Sequence, residues 1–212
     1  MPELYIITGS NGSGKSTIGP NYLPRHISTS YPVFDGDKLF VQKQKELWQL
    51  GIRAHKEAKK IAYEFVTETF DQLVESAIAD NDNFVYEGHF TNNATWQIPI
   101  RFKAIEYSVN IIFFGLSDPD RSELRVLDRT KQGGHYVDKR TIDDNFYGNL
   151  DKLNFYFRMA DNLQIIDTSE FEHLLIASFA NGTPLFSIPP ENMPKWFISY
   201  LPDLVNEIQL GL

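Results

Sequence analysis

"TGSNGSGKSTI", residues 8–18, places three glycines and a lysine within eleven positions, directly behind the apolar run Leu4–Thr8. Gly9, Gly14, Lys15 and Ser16 fit the pattern G-x-x-x-x-G-K-[ST], and the stretch leads from a predicted strand into a predicted helix. A backbone this bare serves a physical need. A triphosphate carries several negative charges, and holding it without a basic surface takes many backbone N–H donors turned inward, which side chains would obstruct. Residues Gly9, Ser10, Asn11, Gly12, Ser13, Gly14, Lys15, Ser16 and Thr17 are therefore expected to cradle ATP. Lys15 would reach the β- and γ-phosphates, and the Ser16 hydroxyl would complete the coordination of a Mg²⁺ ion that keeps several waters.

Outward from this loop, apolar runs read as buried parallel strands at Leu4–Thr8, around Val33 and Phe34, at Phe84–Tyr86, at Val109–Phe114 and, more weakly, at Leu163–Ile166. A long helix from about His55 to Ala79 sets Ile61, Ala62, Phe65, Val66, Phe70, Leu73, Val74 and Ala77 on one broad face at the 3.6-residue period. Strands alternating with such helices predict an α/β fold: a P-loop NTPase of three α/β/α layers around an open, mostly parallel sheet. Ligands then bind beyond the C-terminal ends of the strands. Residues 1–212 read as a single domain, with a mostly charged helical hairpin at about 117–158 and a proline- and aromatic-rich tail at about 183–212, expected to pack on the body as an appendage. In the hairpin, Ser117 or Asp118 can cap the first helix and Gly133-Gly134 can end it. Such an insertion is either a lid over a site or a solvated surface hairpin.

Composition narrows the function. The 212 residues are 42% hydrophobic and 23% charged, with a net charge of −8 and no cysteine. This suits a soluble domain that folds without disulfides, and no apolar stretch reaches the length of a membrane span. An acidic balance repels a phosphate backbone, so nucleic acid and membrane are not expected partners, and the cytoplasm is the expected compartment. The five histidines show no metal-ligand spacing. His55 with Lys56, Lys59 and Lys60 forms a local basic run, readable as a solvated helix flank or as a contact for an anionic acceptor.

A motor or transporter ATPase would carry an acidic residue after the strand Val109–Phe114, but Gly115-Leu116-Ser117 follows it. A small-molecule kinase needs instead a carboxylate to take a hydroxyl proton, polar groups to hold the acceptor and arginines over the moving phosphoryl group. "VFDGDKL" sets Asp35 and Asp37 just past the second strand; Asp37 is the candidate base, and an Asx turn or helix cap is the other reading of either residue. "FVYEGHF" sets Glu87 at the end of the third strand, for acceptor recognition or for capping. Glu68 borders the apolar face of the long helix and either enters the cleft or marks the waterline. On the first hairpin helix Arg121, Arg125 and Arg129 form an i, i+4, i+8 stripe; Arg125 and Arg129 either neutralise the transferring group or pair within the helix.

Taken together, the phosphate loop, "DGD", "TETF", "YEG", "RVLDRTKQGGHYV", "NLDKL" and "IIDTSE" resemble the zeta-toxin-like P-loop kinases, a family that includes UDP-N-acetylglucosamine kinases and relatives labelled as ABC-type ATPases, over about residues 3–168. The resemblance implies ATP and Mg²⁺ as cofactors, Lys15 and Ser16 on phosphates and metal, and Asp37 as base toward a sugar hydroxyl. It implies Glu68 and Glu87 in acceptor binding, Arg125 and Arg129 as lid arginines, UDP-N-acetylglucosamine as acceptor and a short helical antitoxin as partner. A kinase with another small hydroxyl acceptor, or an ATP-binding protein without transfer that acts through a partner, are the alternatives. The sequence departs from the family pattern at "HFTNN", which includes His89 and Thr91, and at Asn145-Phe146, where a lid arginine is usual; Arg140 is a candidate substitute for that charge.

Overall fold

The computed structural model describes residues 1–131 and 136–211. Seven strands form one sheet in the order β2-β3-β1-β4-β5-β6-β7. They are β1 (Glu3–Gly9), β2 (Phe34–Asp35), β3 (Phe84–Gly88), β4 (Ser108–Gly115), β5 (Asn162–Asp167), β6 (Leu174–Ala180) and β7 (Thr183–Ser187). The first five pair parallel; β6 and β7 extend the sheet antiparallel. β1 is central because it is apolar on both faces: Leu4, Ile6 and Ile7 are fully buried, each worth about 1.5–3 kcal/mol over exposure. Strand order reverses at β1, so the loop that follows it opens at the switch point where ligands bind in such sheets.

Leu4, Ile6, Phe84, Tyr86, Val109 and Ile111 face one large core, and Tyr5, Ile7, Val85, Ile112 and Phe114 face a second, smaller one. The smaller core is closed by α1 (Lys15–Ile18), a 3-10 turn over Gly19–Tyr22 and α2 (Arg25–Ser28). α3 (Gly36–Gln49) and α4 (His55–Asp80) form a hairpin at the β2 edge, and α4 runs the length expected from its apolar face. α5 (Gln97–Ala104), α6 (Pro119–Lys131) and α7 (Lys139–Tyr156) follow. Among the described residues no helix is long and apolar enough to cross a membrane.

Two expectations change. The hairpin of α6 and α7 is not all lid, because α7 buries Ile142, Phe146, Leu150 and Leu153, a stripe at helical spacing inside a charged sequence, and Phe146, Leu150 and Leu153 join the large core. The turn expected at Gly133-Gly134, with His135, lies outside the described residues. The tail packs on the body as expected, but within its sheet and core rather than as an appendage. β6 and β7 meet at Asn181 and Gly182, both at positive φ (50° and 78°), the conformation an Asn-Gly hairpin turn requires. α8 (Lys195–Tyr200) and α9 (Pro202–Gly211) then bury Trp196, Phe197, Leu204 and Ile208 in the large core. Trp196 lies so close to Gly115 that a Cβ there would sit 2.1 Å from the indole ring.

Candidate active site

The loop after β1 folds as its sequence demands. Gly9 sits at φ 138°, and a Cβ on it would lie 2.1 Å from the Phe114 carbonyl oxygen, so the chain can pass β4 only as glycine. Lys15, at the start of α1, is buried, and its ammonium donates to the Gly9 and Ser10 carbonyls at 3.0 and 2.9 Å. Burial lowers the pKa of Lys15, while the nearby Glu87 and Asp37 carboxylates oppose that shift. From the end of β5, Thr168 braces the loop by donating its hydroxyl to the Ser13 carbonyl at 2.9 Å.

Asp35 proves to be a helix cap: its carboxylate accepts from the Lys38 N–H at 2.9 Å and starts α3. That cap aims Asp37, in the first turn, into the cleft, where it is exposed and makes no hydrogen bond to another described residue. Glu87 lies across from it at the end of β3. Its Oε1 accepts from the Ser16 hydroxyl at 2.8 Å, and its buried Oε2 has no partner. Burial raises the Glu87 pKa, with Lys15 opposing. A carboxylate oxygen left over beside the serine of a phosphate loop is the donor set expected around a hydrated Mg²⁺ ion, so Ser16 and Glu87 fit that cation.

α6 is docked on the loop. The Ser122 hydroxyl donates to the Asn11 carbonyl, and Arg125 donates to the carbonyls of Gly12 (3.2 Å), Thr168 (2.7 Å) and Ser169 (3.0 Å). Arg121 turns away to Ser169 and Glu170. Arg125 and Arg129 both border the phosphate cavity. Arg140 does not: it is exposed and pairs with Asp144 at 3.9 Å. Glu68 is also not brought in. Tyr63 and Val66 of α4 line a cavity shared with Asp37, and Glu68, two residues past Val66, turns about 200° around the helix into solvent.

Sequence reasoning missed the residue that ties these parts together. Asn149 of α7 is buried; its Oδ1 accepts from the Phe90 N–H at 2.6 Å and the Thr8 hydroxyl at 3.2 Å, and its amide donates to the Asn145 carbonyl at 2.6 Å. The same amide lies 3.3 Å from Nδ1 of His89. Asn145 donates to Oδ1 of Asn11 at 2.8 Å, and His89 Nε2 lies 3.4 Å from Asn11. The departures at His89 and Asn145 thus meet on one phosphate-loop side chain. Enclosure of the His89 ring, with Lys15 nearby, holds its pKa well below the usual value, so it stays neutral. The signal for Asn149 was its place in the Ile142–Leu153 apolar stripe. Asn149→Ala strands several buried groups at about 1–3 kcal/mol each; the melting temperature should fall by roughly 5–15 °C, and a calorimetric change within error would refute the hub.

Two cavities meet here. One, of about 390 Å³, is bordered by Gly12, Gly14, Ser16, Thr17, Arg125 and Arg129; the other, of about 230 Å³, by Gly36, Phe40, Tyr63, Val66 and Gly88. Lys15, Asp37, Glu87 and His89 line both.

Comparison with curated proteins finds no match. Among solved structures the chain is similar to that of AvrRxo1-ORF1:-ORF2 with ATP, at 14% identity and a TM-score of 0.73, over 95% of this chain and 64% of that one. It thus spans less than two thirds of that chain's length. It is also similar to a structure from the PezAT chromosomal toxin-antitoxin system of Streptococcus pneumoniae, at 18% identity and a TM-score of 0.65, over 99% of this chain and 87% of that one. At these identities the likeness shows the fold. The family model described as Zeta toxin matches residues 1–175, and with its phosphate loop, open parallel sheet and docked arginine helix the chain belongs to the zeta toxin family.

Proposed function

We propose that the protein is an ATP-dependent phosphotransferase that moves the γ-phosphoryl group to a hydroxyl of a nucleotide-activated amino sugar such as UDP-N-acetylglucosamine. The observation that carries this reading is the shared wall: Lys15, Asp37, Glu87 and His89 line both the phosphate cavity and its smaller neighbour. One volume suits the triphosphate tail and the other an alcohol, with the carboxylate of Asp37 between them. Family membership and the likeness to a structure solved with ATP support the same reading.

In this mechanism Lys15 leaves the Gly9 and Ser10 carbonyls for the β- and γ-phosphate oxygens, and Glu87 and Asp37 keep it charged. Asp37 accepts the proton of the acceptor hydroxyl as its oxygen attacks phosphorus, and ADP leaves. Arg129, with Arg125, offers guanidinium donors to the equatorial oxygens. Ser16 and Glu87 would hold Mg²⁺, which supplies positive charge to the phosphate oxygens. His89, kept neutral, adds no charge to repel Lys15. We place the work in the cytoplasm, where ATP is supplied, and infer a small helical antitoxin as partner, since a similar structure belongs to a toxin-antitoxin system.

A coupled assay of ADP formation tests the reading. UDP-N-acetylglucosamine should raise the rate well above the acceptor-free rate; ATP turnover that no hydroxyl acceptor stimulates would contradict it.

A further inference from the structure

Among the described residues, the wall of the phosphate cavity carries three cations, Lys15, Arg125 and Arg129, and three carboxylates, Asp37, Glu87 and Asp128, while His89 is held neutral. The formal charges cancel. Affinity for a triphosphate then depends on backbone N–H donors whose directions are set before it arrives, because a cradle already ordered does not have to be ordered on binding.

Asn11, in the middle of the loop, is buried and held from several sides. Its carbonyl accepts from the Ser122 hydroxyl of α6, and the next carbonyl, that of Gly12, accepts from Arg125. Its side chain reaches further. Asn11 Oδ1 accepts from the Asn145 amide at 2.8 Å, which leaves the Asn11 amide facing Nε2 of His89 at 3.4 Å, where a neutral ring can accept. Asn145 stands where a lid arginine is usual, so α7 brings no charge there; it brings a hydrogen bond to the loop instead. Asn11 borders the phosphate cavity and Asn145 does not, so any influence of Asn145 on a bound phosphate passes through Asn11. We propose that Asn145 and His89 are positioning residues of the phosphate loop: by fixing the Asn11 side chain with neutral hydrogen bonds, they hold the N–H donors of the loop in the directions a triphosphate needs. The inference rests on the ATP reading above.

Titration calorimetry of the full chain with Mg-ATP, in the absence of any acceptor, tests it. Asn145→Ala and Asn11→Ala should each weaken ATP binding by about five- to tenfold, the range of one net hydrogen bond. Because Asn145 acts through Asn11, the double variant should bind no more weakly than Asn11→Ala alone. His89→Gln keeps an acceptor at the reach of Nε2 and should bind ATP within about twofold of the unaltered protein, whereas the shorter His89→Asn should lose about fivefold. Asn145→Ala leaves Ile142, Phe146, Leu150 and Leu153 of α7 in place, so its melting temperature should stay near that of the unaltered protein, which a purely structural role would not allow alongside weaker ATP binding. Unchanged ATP affinity in Asn145→Ala, or losses that multiply in the double variant, overturns the positioning role and leaves the ATP reading intact. An unaltered protein that binds no ATP overturns both.

Discussion

Asp37→Asn should slow phosphoryl transfer by about 10²–10⁴-fold while ATP binds nearly as tightly as to the unaltered protein. Asparagine keeps the shape of the side chain but cannot take the proton of the attacking hydroxyl. The fold leans little on the carboxylate: Asp37 is exposed, hydrogen-bonds to no other described residue, and the cap of α3 is made by Asp35. The variant should therefore melt with the unaltered protein, and the loss should appear in kcat. Rates within a few-fold of the unaltered protein, measured at saturating acceptor, would remove Asp37 from the mechanism.

The second large effect is expected from Lys15→Met, which should reduce kcat/KM for ATP by roughly 10³-fold or more, since charge developing in a dry site is stabilised far better by a preorganised cation than by water. Stability should change little. The buried ammonium loses its hydrogen bonds to the Gly9 and Ser10 carbonyls, but the cost of burying its charge disappears with it. Lys15→Arg should not restore the rate, because a planar guanidinium does not fit a pocket closed around a single ammonium. Isothermal titration with ATP, beside a thermal melt, separates a lost phosphate contact from a collapsed loop; unchanged ATP affinity together with unchanged turnover would contradict the role given to Lys15.

What could be read from the sequence was what the backbone itself dictates. The glycines of residues 9–14, the apolar runs of β1, β3 and β4 and the extent of α4 each follow from local sterics or period and are found where expected, except that Leu73, expected on the covered face of α4, is exposed. The caps were ambiguous for a physical reason: Asp35 and Asp37 both suit a turn or a catalytic role and both border the smaller cavity, and only the first turn of α3 engages Asp35 as the cap and leaves Asp37 to line the two cavities together. Glu68 failed because the edge of an apolar face is shared by two flanks, and the hairpin with α3 turned that flank outward. α7 hid a buried stripe under its charges, and Asn149 within it looked like any surface amide until the loop, β3 and β1 closed around it. β6 and β7 were overlooked although Asn181-Gly182 marks their turn, since apolar residues around it alternate too loosely to stand out.

In the proposed mechanism one cleft holds a triphosphate and an alcohol on either side of Asp37. Phosphorus NMR of a reaction containing Mg-ATP and UDP-N-acetylglucosamine tests it most directly, because a phosphomonoester on carbon-bound oxygen and inorganic phosphate resonate apart. A new phosphomonoester signal growing in step with ADP is the predicted result. ADP accompanied only by inorganic phosphate, with that and every other hydroxyl acceptor tried, would contradict the account.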